Sequence, residues 1–195
     1  MRHRISIVLA AAFLGLILWP AASSAELSRT TVELNANHET VEGRLQFESP
    51  LLQNTLFTGY NAIYKDDEYR LMGLDFLLGD RVRPDLLVAL GFRGVYGKVT
   101  ALSEEPYLSC IGFMARGEYT LPVELPFPLV LGGQLNYSPQ PLSFDDTEDY
   151  WSFRAHFDIN VLQTGGITLG YRYHDMDFGQ SYTEDSFFLG FKLSF

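Results

Sequence analysis

Alternation of apolar and polar residues with a period of two is the main pattern along this chain, and it is cleanest at the C-terminal end. Phe187, Leu189, Phe191, Leu193 and Phe195 are all apolar, and Ser186, Gly190, Lys192 and Ser194 lie between them, with Phe188 the one exception. Over 150–161, Trp151, Phe153, Ala155, Phe157, Ile159 and Val161 alternate with Tyr150, Ser152, Arg154, His156, Asp158 and Asn160. Ile167, Leu169, Tyr171 and Tyr173 alternate in the same way with Thr168, Gly170, Arg172 and His174. Successive side chains of a strand point to opposite faces, so each stretch reads as a strand with one apolar and one polar face. Extended along the chain, the pattern predicts strands at about 30–37, 40–47, 54–64, 69–78, 86–97, 108–120, 129–138, 150–161, 166–175 and 184–195. The count is ten, or eight if the weak first hairpin is lost.

A soluble β-sandwich shares this alternation, so other features must decide. The segments approach the roughly 9–11 residues that a tilted membrane-spanning strand needs, whereas soluble strands cluster near about 5–6. Glycine recurs on the polar face, at Gly73, Gly91, Gly97, Gly112, Gly132, Gly170 and Gly190, where a narrow lumen must accommodate long side chains. Tyr64, Tyr69, Tyr96, Tyr107, Tyr137, Trp151, Tyr173 and Tyr182 lie near strand ends, the level that amphipathic rings prefer at a membrane boundary. With the opposite facing, Arg93, Arg116, Arg154, Arg172 and Lys192 would meet lipid, each at a cost of about 2–4 kcal/mol near the midplane. The pattern therefore predicts an all-β fold, a single antiparallel transmembrane up-and-down barrel with its charges inside. The terminal residues Phe187, Leu189, Phe191, Leu193 and Phe195 resemble the assembly signal of bacterial outer-membrane proteins, which implies the barrel assembly machinery as a partner during biogenesis.

The N-terminal segment sets the expected compartment. Met1-Arg-His-Arg is basic, Ile5 to Trp19 is almost continuously apolar, and Ser23 and Ala25 are small residues placed for cleavage before Glu26. That order predicts a signal peptide over 1–25 and one barrel domain over 26–195, exported by the general secretory route to the bacterial outer membrane. Loss of Arg2 and Arg4 leaves 12 bases against the 24 acids of the chain. So acidic a balance argues against nucleic acid as a partner. Cys110, the lone cysteine, has no intramolecular partner and reads as a small buried residue.

The proposed facing puts Arg44, Arg93, Arg116, Arg154, Arg172 and Lys192 in the lumen with Glu42, Asp75, Glu118 and Asp158. An eight-stranded barrel is only wide enough inside for side chains, and ten strands widen it slightly. Charges of both signs in so narrow a space should pair and close it, because unpaired buried charge is expensive. The alternative is a narrow solute pore with a basic midsection. His156 and His174 also fall on the lumen face, near Ser152, Asp158 and Asp175. No Gly-x-Ser-x-Gly elbow accompanies them, and a lipid-modifying site should open toward lipid, so the expectation is a barrel without catalytic residues. A lipid-modifying enzyme is the second alternative. No cofactor is expected. With both chain ends on the periplasmic side, the outer loops hold eleven acids against Lys65 and Lys98. Asp66, Asp67, Glu68, Asp145, Asp146 and Asp149 in those loops would be weak sites for Ca²⁺ or Mg²⁺. They lack the spacing of a calcium loop, but they suggest contact with lipopolysaccharide through divalent ions.

One resemblance adds to this reading. Gly117-Glu-Tyr-Thr-Leu-Pro-Val-Glu-Leu-Pro-Phe-Pro-Leu129 joins two strands through a proline-rich turn and leads through Leu135-Asn-Tyr-Ser-Pro139 into Leu142-Ser-Phe-Asp-Asp146. Gly170-Tyr-Arg-Tyr-His-Asp-Met-Asp-Phe178 and the closing Phe187–Phe195 follow. Over 112–195 this order resembles the YfaZ family of outer-membrane proteins. The resemblance implies location and fold, and carries over no catalytic residue.

Overall fold

The computed structural model describes residues 29–162 and 164–195, and the expected signal peptide lies outside them. The alternating segments form ten long strands: β1 Arg29–Ala36, β2 Thr40–Leu51, β3 Asn54–Lys65, β4 Tyr69–Arg83, β5 Leu86–Val99, β6 Tyr107–Thr120, β7 Leu129–Ser138, β9 Asp149–Leu162, β10 Gly165–Asp177 and β11 Ser181–Ser194. A 3₁₀ turn, Gln140–Leu142, and a three-residue strand β8, Ser143–Asp145, interrupt the connection from β7 to β9. Each long strand pairs antiparallel with its neighbours in sequence. Closure comes from β1 and β11, in register from Thr31↔Ser194 to Ala36↔Leu189. The first hairpin is fully formed, with Ala36↔Val41 at its tip, so the barrel has ten strands rather than eight.

Strand ladders extend past the apolar alternation at several ends. β4 continues through Asp80-Arg81-Val82-Arg83, which pair with Leu86–Val88 across a bulge. There the backbone bonds persist after the side chains have stopped distinguishing inside from outside. β6 is shared: its lower part pairs with β7 from Phe113↔Tyr137 to Thr120↔Val130, and Leu108–Cys110 pair with β8. The connections 37–39, 66–68, 100–106, 139–148 and 178–180 gather at the end away from Arg29 and Ser194. The opposite end carries 52–53, 84–85, the proline-rich 121–128 and the turn before Gly165.

The outer surface is an apolar belt. Leu34, Leu90, Phe92, Phe113, Leu131, Leu169, Phe187, Leu189 and Phe191 are all exposed, Phe187 to 77 %. Burying such a surface in protein core is the rule for soluble sheets, and here it faces outward around the whole cylinder. The polar side chains are the buried ones, among them Glu42, Asn61, Asp75, Arg93, Arg154, Asp158 and Arg172. Tyr64, Tyr96, Tyr107 and Tyr137 are exposed at the expected level, but Tyr69 and Tyr182 are not part of that girdle. Tyr69 is fully buried and Tyr182 packs against the same interior cluster. Each hydroxyl has an acid to bond inside, Glu184 for Tyr69 at 3.1 Å and Glu68 for Tyr182.

Candidate functional site: the filled barrel interior

Inward positions on neighbouring strands stack their side chains in levels along the barrel axis. Near the end that carries the chain termini, Arg116 on β6 donates from Nε to Glu118 Oε1 at 3.1 Å and from Nη1 to Gln46 on β2. Lys192 on β11 pairs with Asp158 on β9 at 2.8 Å, and Thr168 donates to the other Asp158 oxygen at 2.8 Å. His156 Nε2 stands 3.9 Å from both Glu118 and Asp158. The facing wall at this level is apolar: Phe57, Leu77, Leu87, Ala89 and Met114 cluster on β3–β6, and the Arg116 guanidinium lies 5.5 Å from the Phe57 ring.

The middle level crosses the lumen. Arg154 on β9 reaches Glu33 on β1. Arg172 on β10 reaches Glu42 on β2 at 3.2 Å and Ser186 at 3.1 Å. Arg44 on β2 donates to Gln134 on β7 at 2.8 Å and lies 3.7 Å from Glu42. Arg93 on β5 pairs with Asp75 at 3.1 Å and donates to Asn61 at 2.6 Å. Arg154–Glu33, Arg172–Glu42 and Arg44–Gln134 join strands that are not neighbours, which the narrow lumen allows, whereas Arg93 pairs with Asp75 on the adjacent strand. Phe188, the break in the terminal alternation, points inward here, with Arg154 and Arg172 at 4.7 and 5.8 Å from its ring.

Glycine makes the crossings possible. A Cβ on Gly132 would lie 2.2 Å from His156 Cε1, and one on Gly170 would lie 2.2 Å from Phe188 Cζ. A Cβ on Gly73 would lie 2.1 Å from Asn61 Oδ1 and 3.1 Å from Arg93 Nε. In each case the inward glycine leaves the space over which a neighbour's long side chain lies flat.

Above the charged levels the filling changes character. Tyr150 Oη lies 2.8 Å from His174 Nδ1, and the rings stack at 6.0 Å. Beyond them Ile63, Tyr69, Leu71, Val95, Val99, Leu108, Cys110 and Met176 form an apolar cluster, covered by Leu102, Phe178 and Tyr182. The connections are tied over it. Thr100 and Ala101 donate backbone N–H groups to Glu68 O, and Lys65 pairs with Glu68 at 2.8 Å. Burial pushes the Glu68 carboxyl up, but the hydrogen bonds from Lys65 and Tyr182 outweigh it and hold the group below its usual value of 4.5.

All ten residues of the expected charge network, Arg44, Asp75, Arg93, Arg116, Glu118, Arg154, His156, Asp158, Arg172 and Lys192, line the interior. Sequence reasoning missed Glu33, the partner of Arg154, although Val32, Leu34 and Ala36 alternate with Thr31, Glu33 and Asn35. It also missed the apolar cap, whose signal was the inward parity of Leu71, Val95, Val99 and Leu108. The loop acids are dispersed in their roles. Asp66 accepts from Tyr64, Glu68 binds Lys65 and Tyr182, and Asp146 accepts from the Tyr107 backbone N–H. Asp149 pairs in register with Asp177. Among the described residues no group of three or more His, Cys, Asp or Glu is arranged to hold a metal ion. Of the terminal residues, Phe187, Leu189, Phe191 and Phe195 are exposed on the outer face. Phe195 exchanges backbone hydrogen bonds with Thr30 at 2.8 and 3.0 Å, closing the barrel seam.

Among the described residues, the cavities in the packing include one of about 50 Å³ between Glu33, Arg44, Arg116, Glu118 and Lys192, and one of about 20 Å³ at the middle level. Since about 10–15 Å³ accommodates one water, each has room for a few waters at most.

No protein-family model matches the chain, and no curated protein matches it. Solved structures similar to it include the NanC porin, at 12% identity and a TM-score of 0.42, covering 85% of this chain and 98% of that one. The Acinetobacter baumannii outer membrane protein Omp33 is similar at 8% identity and a TM-score of 0.30, covering 86% and 97%. The siderophore receptor PirA from Pseudomonas aeruginosa is similar at 16% identity and a TM-score of 0.26, covering 82% of this chain and 39% of that one.

Proposed function

We propose that this protein is a small barrel of the bacterial outer membrane, YfaZ-like, with a lumen closed to ions and a structural or surface-interaction role. The observation that carries this reading is the set of ion pairs spanning the lumen, Arg154–Glu33 and Arg172–Glu42 above all. A solute moving along the axis would have to part them, and separating buried charges from their partners is costly. The apolar cap beneath Leu102 and Phe178 adds a second closure at the far end. The apolar belt supports residence in lipid, because hydrocarbon gives an outward Phe or Leu the environment that water denies it. Export depends on the signal peptide over 1–25, and assembly on the terminal residues up to Phe195. At the outer end, the acidic connections engage lipopolysaccharide phosphates through divalent ions. No catalytic residue or cofactor belongs to this reading.

The test has two parts. Fractionated cells should carry a heat-modifiable, protease-resistant form of the protein in the outer membrane. Proteoliposomes loaded with a self-quenching anionic dye and with small sugars should retain both as well as protein-free vesicles do. Rapid, size-limited leakage from the proteoliposomes would replace the closed barrel with a narrow pore.

A further inference from the structure

The cavity of about 20 Å³ at the middle level is lined by polar residues, Glu42, Arg93, Asn136, Arg154, Arg172 and His174 among them, and by apolar ones such as Ile63 and Val95. Its walls hold buried polar atoms that the protein itself does not satisfy. Asn136 is 1 % exposed, and neither its Nδ2 nor its Oδ1 has a hydrogen-bond partner. Arg154 Nε, Arg172 Nε and His174 Nε2 are buried and unpartnered as well. A neutral His174 ring that accepts from Tyr150 at Nδ1 carries its proton on Nε2. The unmet groups thus include two guanidinium N–H groups and the Asn136 amide N–H, joined by the His174 Nε2–H in that tautomer, with the Asn136 carbonyl oxygen as an unmet acceptor beside them.

Charge points the same way. The lining brings the guanidiniums of Arg44, Arg93, Arg154 and Arg172 together with one carboxylate, Glu42, while Glu33 and Asp75 stand outside it. Glu42, the acid on the lining, is already engaged: Oε2 accepts from Asn35 and Arg172, each at 3.2 Å, and Oε1 lies 3.7 Å from Arg44. Buried donors without acceptors are costly, and an anion among these cationic walls supplies the acceptor they lack. The space exceeds the roughly 10–15 Å³ that one water needs, so it has room for a monoatomic ion.

We propose that this chamber is a binding site for one monoatomic anion of the chloride class, held by Arg154, Arg172, Asn136 and His174. The anion completes the network that closes the lumen.

Chloride itself is the probe, added to the refolded full-length barrel in detergent at constant ionic strength, with gluconate replacing it in the reference. The ³⁵Cl resonance should broaden in the presence of native barrel, and unlabelled bromide should reverse the broadening. The thermal midpoint should rise saturably over the same chloride range. Asn136→Asp places a carboxylate on the lining and should abolish both responses. Asn136→Ser removes the amide donor at little steric cost and should weaken binding about tenfold, the scale of one hydrogen bond to a charged group. Retained heat-modifiability in both variants keeps the comparison among folded barrels. If neither variant folds, bromide soaked into crystals of the wild type should give an anomalous peak between Arg154, Arg172 and Asn136. Equal behaviour in chloride and gluconate overturns the proposal, as does an Asn136→Asp barrel that responds like the wild type. A chamber that holds only water in bromide-soaked crystals overturns it too.

Discussion

Removal of Arg154 is the sharpest perturbation of the interior, because its partner is identified and both are buried. The side chains of Arg154 and Glu33 are 7% and 10% exposed, and the pair joins β9 to β1 across the lumen. Arg154→Ala leaves the Glu33 carboxylate inside the barrel without its guanidinium and also removes the cation lying 4.7 Å from the Phe188 ring. Breaking a buried pair by deleting one partner costs about 3–5 kcal/mol. The neighbouring chamber of about 50 Å³ admits a few waters, which partly solvate the stranded carboxylate and place the expected loss near the bottom of that range. Replacing both members, Arg154→Met with Glu33→Leu, removes the desolvated charges together. The double variant should lie within about 1 kcal/mol of the wild type, as replaced buried pairs commonly do. The assay is urea unfolding in lipid vesicles, followed by the fluorescence of Trp151 on the outer face of β9, with unchanged slope as the check on a common mechanism. A single-variant loss below about 1 kcal/mol, the range of exposed ion pairs, would refute the reasoning. So would a double variant no more stable than Arg154→Ala, since the two residues would then be uncoupled.

Gly132→Ala should destabilise the barrel by about 1–3 kcal/mol through overpacking against His156, which Glu118 and Asp158 hem in. Gly43→Ala, whose Cβ would meet nothing closer than Leu34 Cδ2 at 3.8 Å, should be silent in the same unfolding assay. Phe191→Asp, or deletion of Phe195, should sharply lower the amount of folded protein in outer-membrane fractions, and normal levels in both would count against the assembly role. Glu68 has a carboxyl held below its usual value of 4.5, so its stabilising effect is present above that value and is lost as pH falls through the lower folded value. Proteolytic nicking of the 66–68 connection, whose Glu68 carboxylate is held by Lys65 and Tyr182, should therefore increase at acidic pH in the wild type and already be higher at neutral pH in Glu68→Gln.

Period two made the barrel legible because the two faces of these strands meet such different surroundings. Where the contrast was complete, the expected boundaries came close to those observed: 129–138 matches β7, and 150–161 falls one residue short of β9 at each end. β4 and β2 run farther than expected, through Arg83 and Leu51, since their ends lie beyond the apolar belt. β8 left no trace, as three residues cannot show a period. The facing of the interior charges followed from the cost of exposing arginine to lipid. Which charge pairs with which did not, because pairing depends on barrel closure: Glu33 and Arg154 are 121 residues apart and meet only through the curvature of the wall. The apolar cap was hidden for a different reason. Apolar residues inside and outside look alike in sequence, so only the parity that Leu71 shares with Asp75, and Val99 with Arg93, marked them as inward. Tyr69 was assigned to the outer girdle on the same ambiguity, and its bond to Glu184 shows what turned it inward.

Closure of the lumen is the central claim, and single-channel recording on purified protein in planar bilayers tests it most directly. The wild type should show no steady conductance at moderate voltage. The triple variant Arg93→Ser, Arg154→Ser and Arg172→Ser, which removes three interior guanidiniums and leaves their partners Asp75, Glu33 and Glu42 in the bore, should show measurable, cation-preferring openings. Regular, long-lived conductance steps from the wild type would contradict the account.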